Sequence, residues 1–169
     1  MVTTRRWALV AFAGAAAAVG AAVATRHFSL RGPQAGDLWS QSFPAIDGKP
    51  IRLADFKGRP LIINFWATWC PPCVKEMPLI DGFYQQIGKS KLNILGLAVD
   101  QPEAVKRFLQ RTPVHYTIAM AGADGVDLTR KLGNNAGALP FSVFFDADGA
   151  IRHRKLGELS AADLSRWMA

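Results

Sequence analysis

Two stretches in the middle of the chain, residues 61–65 and 92–99, are apolar at almost every position instead of alternating with polar residues. Strands with this pattern are covered on both faces, as in a parallel sheet that lies between layers of helices. Segments of helical period follow each stretch, and Gly, Pro and Asp-Gly signals separate the elements. The pattern therefore predicts an α/β fold with helices on both faces of a central sheet.

The predicted elements begin with an edge hairpin at 38–53, whose turn is Asp47-Gly48. In chain order there follow a strand at 61–65, a helix at 72–87, a strand at 92–99, a helix at 102–111, a strand at 116–120, a helix at 124–132, and strands at 141–145 and 151–156 around a turn at 146–149. Pro78 is expected to kink the first helix, and Ser160 to cap a last one. Parallel crossovers that lead into an antiparallel hairpin predict a mixed sheet.

An apolar leader precedes this pattern. Arg5 and Arg6 stand before an uncharged run at 7–24, which ends in the small-x-small sequence Ala-Val-Ala. This arrangement is typical of a secretory signal peptide or of an uncleaved membrane anchor, and the sequence leaves both alternatives open. Both place the rest of the chain outside the cytoplasm. We predict a signal or anchor at 1–24, a tether at 25–36 and one domain at 37–169.

The composition changes this picture little. The 169 residues carry a formal charge of +7, but lysines and arginines recur in short groups rather than in a concentrated stripe. A nucleic-acid surface usually shows such a stripe, so we expect no nucleic-acid partner. The charge is compatible with steering towards acidic protein partners.

The only two cysteines, Cys70 and Cys73, lie where a buried strand meets the start of a helix. The free N–H groups and the positive dipole end of that helix favour a thiolate, which lowers the pKa of a thiol. A structural zinc site needs four ligands, and the chain has no second cysteine pair. A disulfide that closes so short a loop stabilises a fold little. The spacing therefore predicts a dithiol that cycles with a disulfide.

Position assigns different roles to the two thiols. Cys70 at the helix start should attack a partner's disulfide, and Cys73, one turn further in, should resolve the mixed disulfide. Resolution needs a base, and Glu76 lies three residues after Cys73 on the same helical face. Burial would raise the pKa of Glu76 towards neutrality, as a proton acceptor requires. The alternative is an exposed glutamate that the helix dipole favours, and spacing alone does not decide between the two.

Five neighbouring residues are candidates for substrate contact. Trp69 can offer an apolar surface beside Cys70, and Pro71-Pro72 restrict the backbone between the cysteines. Leu139-Pro140 precedes a predicted strand and is a candidate cis peptide bond, although most X-Pro bonds are trans.

The sequence Trp69-Cys-Pro-Pro-Cys73, preceded by Asn64-Phe-Trp-Ala-Thr68 and followed by Lys-Glu-Met-Pro, resembles the TlpA/ResA-like branch of the thioredoxin superfamily. The resemblance implies a thioredoxin-like fold with an N-terminal β-hairpin and an inserted αβ unit at 102–120. It also implies a cis Pro140 beside the disulfide, with the preceding backbone at Leu139 pairing with the partner's chain. Thioredoxins carry a buried aspartate where this chain has Asn64, and the TlpA/ResA-like branch has its active-site glutamate at the position of Glu76.

Members of this branch are mostly extracytoplasmic thiol-disulfide reductases that act on apocytochrome c, copper-site proteins or other disulfides. The resemblance implies protein substrates with disulfides and a membrane electron donor of the DsbD/CcdA type. From the residues we expect no metal and no cofactor beyond the Cys70–Cys73 disulfide. We also expect a monomer. The segment 134–139 has no acidic residue, unlike the acidic groove of cytochrome-maturation members.

Two other functions occur on the same fold. Copper-delivering relatives have three residues between their cysteines and a distal histidine, whereas this chain has two residues there. Thiol peroxidases place the reactive cysteine in a Thr-x-x-Cys sequence, and here Ala67 occupies the threonine position. A copper-binding or metallochaperone module and a thiol peroxidase are therefore the alternatives.

Overall fold

A five-stranded mixed sheet runs through the centre of the computed structural model, which describes residues 38–169. The strands are β1 (Ser42–Pro44), β2 (Pro50–Arg52), β3 (Leu61–Trp66), β4 (Asn93–Ala98), β5 (Thr117–Met120), β6 (Phe141–Phe145) and β7 (Ile151–Leu156), and the helices are α1 (Pro71–Ile87), α2 (Pro102–Arg111), α3 (Gly125–Lys131) and α4 (Ala161–Trp167). The signal or anchor predicted at 1–24 and the tether at 25–36 lie outside the described residues. Within residues 38–169, no helix has both the length and the apolar character needed to cross a bilayer.

The sheet has the strand order β5-β4-β3-β6-β7. β3 pairs in parallel with β4, and β4 with β5, whereas β6 is antiparallel to both β3 and β7. The mixed sheet predicted from the crossovers and the final hairpin is confirmed. The N-terminal hairpin, β1 and β2, forms its own two-stranded sheet and touches the edge of the central sheet through a bridge between Ala45 and Ala119.

Apolar side chains cover both faces of the central sheet. On one face, residues such as Ile62 and Trp66 of β3 pack with side chains from α1, α2 and α4. On the other face, Ile63 and Phe65 pack with side chains from α3 and from residues 38–56, which precede β3. All six residues of β3 are buried, and so are all six of β4, which explains why their sequences lack alternation.

One residue of the predicted hairpin belongs to another element. Leu53 was expected to end the second hairpin strand, but β2 ends at Arg52 and Leu53 begins a 3-10 turn that ends at Phe56. The turn points the Leu53 side chain into the core, where it is fully buried. An ion pair between Arg52 Nη2 and Asp55 Oδ1, at 2.9 Å, spans this turn.

The helix that follows β3 begins at Pro71, one residue earlier than predicted, and continues through Pro78 to Ile87. Gly88 ends it with a φ of 87°, a left-handed conformation that glycine adopts without steric cost. Ser160 caps α4 as predicted, because its hydroxyl accepts from the backbone N–H of Asp163.

Candidate active site

The two cysteines form a disulfide at the N-terminal end of α1. Cys70 is the residue that caps the helix, and its Sγ accepts from the backbone N–H of Cys73 at 3.4 Å. Pro71 and Pro72 occupy the first two helical positions, where proline's fixed φ suits a helix start. Cys70 is 5% exposed and Cys73 is fully buried, so only Cys70 offers any surface to a partner.

The loop between β3 and Cys70 is held by Asp100, which follows β4. Asp100 Oδ2 accepts from the backbone N–H of Thr68 at 2.8 Å and from its hydroxyl at 2.6 Å. The carboxyl ends of the parallel strands β3 and β4 lie at the same edge of the sheet, so residues after the two strands meet there. Asp100 therefore fixes the chain just before the disulfide.

Glu76 lies inside the protein with only 2% of its surface exposed. Its Oε1 accepts from Asn64 Nδ2 at 2.7 Å, and its Oε2 accepts from the backbone N–H of Leu159 at 2.6 Å. Burial raises the pKa of Glu76 to about 7, although the two hydrogen bonds oppose this shift by stabilising the ionised form. A carboxyl group with such a pKa can gain and lose a proton at neutral pH.

Asn64 and Ser142 face each other across β3 and β6, on the side of the sheet that α1 covers. Asn64 Nδ2 donates to Ser142 Oγ at 2.9 Å as well as to Glu76, and both Asn64 and Ser142 are fully buried. Within the described part of the chain, Asn64 Oδ1 is buried and has no hydrogen-bond partner.

The Leu139-Pro140 peptide bond is cis, as the resemblance implied. Pro140 is buried, and its carbonyl accepts from the backbone N–H of Gly157 at 2.8 Å. Leu139 is half-buried and packs against the apolar cluster that contains Cys70 and Cys73. Leu139 also packs against the apolar cluster on the opposite face of the sheet.

Other predicted neighbours of the disulfide differ in exposure. Trp69 is 65% exposed, and it lines a shallow cleft together with Val99 and Ala123. Lys75 is exposed, and its Nζ pairs with Glu158 Oε2 at 2.9 Å. Among residues 38–169, no three Cys, His, Asp or Glu side chains come together as a metal site.

Sequence reasoning missed three contributors to the site. Ser142 is a polar residue inside an apolar strand, and Asp100 follows a buried strand, so each left a signal that could have been used. The Leu159 N–H left none, since every residue except proline has such a donor.

Three comparisons with known proteins agree. The Redoxin family model matches residues 34–166. "Thiol-disulfide oxidoreductase ResA" from Bacillus cereus is 33% identical over 125 residues, which are 73% of this chain and 69% of the relative. "Thiol:disulfide interchange protein DsbE" from Vibrio cholerae is 30% identical over 128 residues, 74% of this chain and 65% of the relative. A thioredoxin-related protein from Neisseria meningitidis serogroup B has a solved structure with a TM-score of 0.68 and 32% identity, covering 76% of this chain and 96% of that one.

The chain therefore belongs to the Redoxin family, as a TlpA/ResA-like member of the thioredoxin superfamily. The predicted family and fold are confirmed. The relatives named as thiol-disulfide oxidoreductases and the disulfide at the start of α1 together make this chain a thiol-disulfide redox enzyme.

Proposed function

We propose that this protein reduces disulfides of extracytoplasmic proteins, with Cys70 as the attacking thiol, Cys73 as the resolving thiol and Glu76 as the proton acceptor. The difference in burial between the two cysteines supports the order of attack, because only Cys70 has any exposed surface. The buried carboxyl of Glu76 lies one helical turn from Cys73, on the same side of α1.

The proposed reaction conserves atoms and electrons. The Cys70 thiolate attacks one sulfur of the substrate disulfide, and that bond breaks as a Cys70–substrate disulfide forms and a substrate thiolate leaves. Cys73 then loses its proton to Glu76 and attacks Cys70 Sγ. The second substrate thiolate leaves, and the enzyme holds the Cys70–Cys73 disulfide. The substrate has gained two electrons, and a donor dithiol must return the enzyme to its reduced form.

Pro71 and Pro72 support the proposed direction of electron transfer, from this protein to its substrate. A free helix start offers several N–H groups to a thiolate, but Pro71 and Pro72 have none. Cys70 Sγ accepts a single N–H bond within this turn, from Cys73 at 3.4 Å. A protein whose thiolate is poorly stabilised has a less stable reduced form, and it is therefore a better reductant.

The groups around Cys70 support a role in substrate contact for Trp69, Pro71, Pro72, Leu139 and Pro140. Trp69 and Pro71 are exposed, Pro72 and Leu139 are half-buried, and Pro140 follows Leu139 through a cis peptide bond. We include in the proposal a membrane electron donor that supplies the reducing dithiol, and a location outside the cytoplasm set by residues 1–24 as a signal or as an anchor.

Two measurements test the function and its direction. A Cys73→Ser variant should accumulate mixed disulfides on Cys70 when mixed with a disulfide-containing protein, whereas the matched Cys70→Ser variant should accumulate none or far fewer. A redox titration of the wild type should give a potential near that of thioredoxin, about −270 mV. A potential near about −120 mV would instead identify an oxidant. Equal trapping by the two variants would refute the assigned order of attack.

A further inference from the structure

The contacts of Glu76 pose a chemical problem when this residue takes up a proton. Both of its oxygens face donors, Asn64 Nδ2 on Oε1 and the Leu159 N–H on Oε2. Two donors suit an ionised carboxylate, which only accepts hydrogen bonds. A protonated carboxyl has an O–H group on one oxygen, and this group needs an acceptor.

The two donors differ in what they can become. The Leu159 N–H belongs to the backbone and remains a donor in every protonation state. The Asn64 amide has a carbonyl oxygen beside its NH₂ group, and the two have almost the same size and geometry about Cγ. A half turn about the Cβ–Cγ bond exchanges them and places Oδ1 where Nδ2 now lies.

The neighbour of Asn64 can follow this exchange. Ser142 Oγ accepts from Asn64 Nδ2 at 2.9 Å, and a hydroxyl group can rotate to donate to an oxygen in the same position. Within residues 38–169, Asn64 Oδ1 has no partner although it is buried, so the turn breaks no hydrogen bond of that atom. After the turn Oδ1 accepts from both neighbours, and the NH₂ group takes the buried position in which Oδ1 has no partner in the ionised state.

We propose that Asn64 and Ser142 form a two-way clamp on Glu76: Asn64 Nδ2 donates to the ionised carboxylate, and after a half turn of the amide Asn64 Oδ1 accepts from the protonated carboxyl. This inference rests on the proposed role of Glu76 as the proton acceptor of Cys73. Asn64 and Ser142 are positioning residues, because they act on the proton through Glu76. The clamp allows a fully buried acid to change its protonation state while keeping both oxygens hydrogen-bonded.

Other titratable groups face Glu76 without taking the place of the amide. Glu158, in the segment between β7 and α4, raises the pKa of Glu76, and Lys155 of β7 lowers it. Each has its own partner, Lys75 for Glu158 and Asp163 for Lys155. Tyr116 is buried on the α1 side of the sheet, and burial raises the pKa of its phenol so that it stays neutral. Cys73, on the same helix as Glu76, titrates only when the disulfide is reduced.

The turn of the amide can be observed directly by NMR in the oxidised full-length protein, where the cysteines do not titrate. Glu76 is followed through its side-chain carboxyl carbon between pH 5 and pH 9. At pH 9 the Asn64 NH₂ protons should show nuclear Overhauser contacts to the Ser142 and Glu76 side chains. At pH 5 these contacts should be lost, and the midpoint of their loss should coincide with the midpoint of the Glu76 titration. Asn93 and Asn134 are internal controls, because their amides donate to the fixed carbonyls of Phe56 and Ala138. Unchanged Asn64 contacts across the Glu76 titration would overturn the proposal.

An Asn64→Asp variant tests whether the group at position 64 controls the proton affinity of Glu76, which the clamp requires. Two adjacent buried carboxyls share one proton, so the pH at which Glu76 becomes an effective base should rise by about one unit or more. The pH profile of mixed-disulfide resolution should shift by the same amount, and Asn93→Asp, another buried strand asparagine, should leave it in place. An unshifted profile in Asn64→Asp would show that residue 64 does not act on the proton of Glu76, and this result would overturn the clamp. If resolution by the wild type showed no ionisation near neutral pH, the proposed role of Glu76 would fail instead.

Discussion

Replacing Glu76 with glutamine should change how the stability of the oxidised protein depends on pH. The folded state raises the pKa of Glu76 from its ordinary value of 4.5 to about 7. Between these two pH values the folded protein binds more protons at this site than the unfolded chain does, so the free energy of unfolding falls as the pH rises. The favourable contribution is complete below about pH 4.5 and is lost above about pH 7, and it amounts to about 3 kcal/mol.

The measurement is urea denaturation of the oxidised wild type and of Glu76→Gln at several pH values from 5 to 8. Between these limits the wild type should lose about 2.5 kcal/mol more stability than the variant. Comparison with the variant removes the opposite dependence of Asp81, whose pKa is lowered because hydrogen bonds from His115 and Gln85 override the effect of its burial. Glu103→Gln, at an exposed carboxylate, is the matched control and should follow the wild type. Parallel curves for wild type and Glu76→Gln would refute the reasoning.

Three further changes test other parts of the site. Trp69→Ala removes an exposed aromatic contact, so kcat/KM for reduction of a protein disulfide should fall about tenfold while the redox potential stays the same. A changed potential would contradict a role confined to substrate contact. Asp100→Ala leaves the Thr68 N–H and hydroxyl without their acceptor and should lower the free energy of unfolding by about 2 kcal/mol, with a smaller loss for Asp100→Asn. Ser160→Ala removes the cap of α4 and should cost about 1 kcal/mol, measured by urea denaturation; an unchanged midpoint would show that the cap does not stabilise this helix.

Helices and strands were predictable from the sequence wherever the apolar residues of a whole segment followed one clear pattern, either a helical or a strand period or an unbroken apolar run. The helix Pro102–Arg111 and the strands Phe141–Phe145 and Ile151–Leu156 have the predicted bounds. Leu53 was assigned to the wrong element, because an apolar residue after a short strand is buried equally well by one more strand position or by a tight turn. No feature of the sequence near Leu53 distinguishes a longer strand from a tight turn.

Some features of the active site follow from the local sequence, and others depend on residues far apart in the chain. The i to i+3 spacing of Cys73 and Glu76 places them on one helical face, and the pattern alone predicts this neighbourhood. Whether Glu76 is buried depends on the register of β3 with β6 and on the path of the chain after β7. Asn64 lies 12 residues before Glu76 and Leu159 lies 83 residues after it, so neither contact is visible in the local sequence.

Two properties of Glu76 as the proton acceptor, its distance to Cys73 and its basicity, therefore depend on different parts of the structure. Glu76 and Cys73 share one turn of α1, so the reach between base and thiol is set by helix geometry and changes little if the helix shifts against the sheet. The basicity of Glu76 has another source, because burial raises its pKa and donors from β3 and from the segment after β7 lower it. A shift of the helix against the sheet would therefore alter the pKa of Glu76 before it altered the distance to Cys73. An acid at the position of Asn64 would have the opposite sensitivity, since its distance to the thiol would depend on how the helix packs on β3.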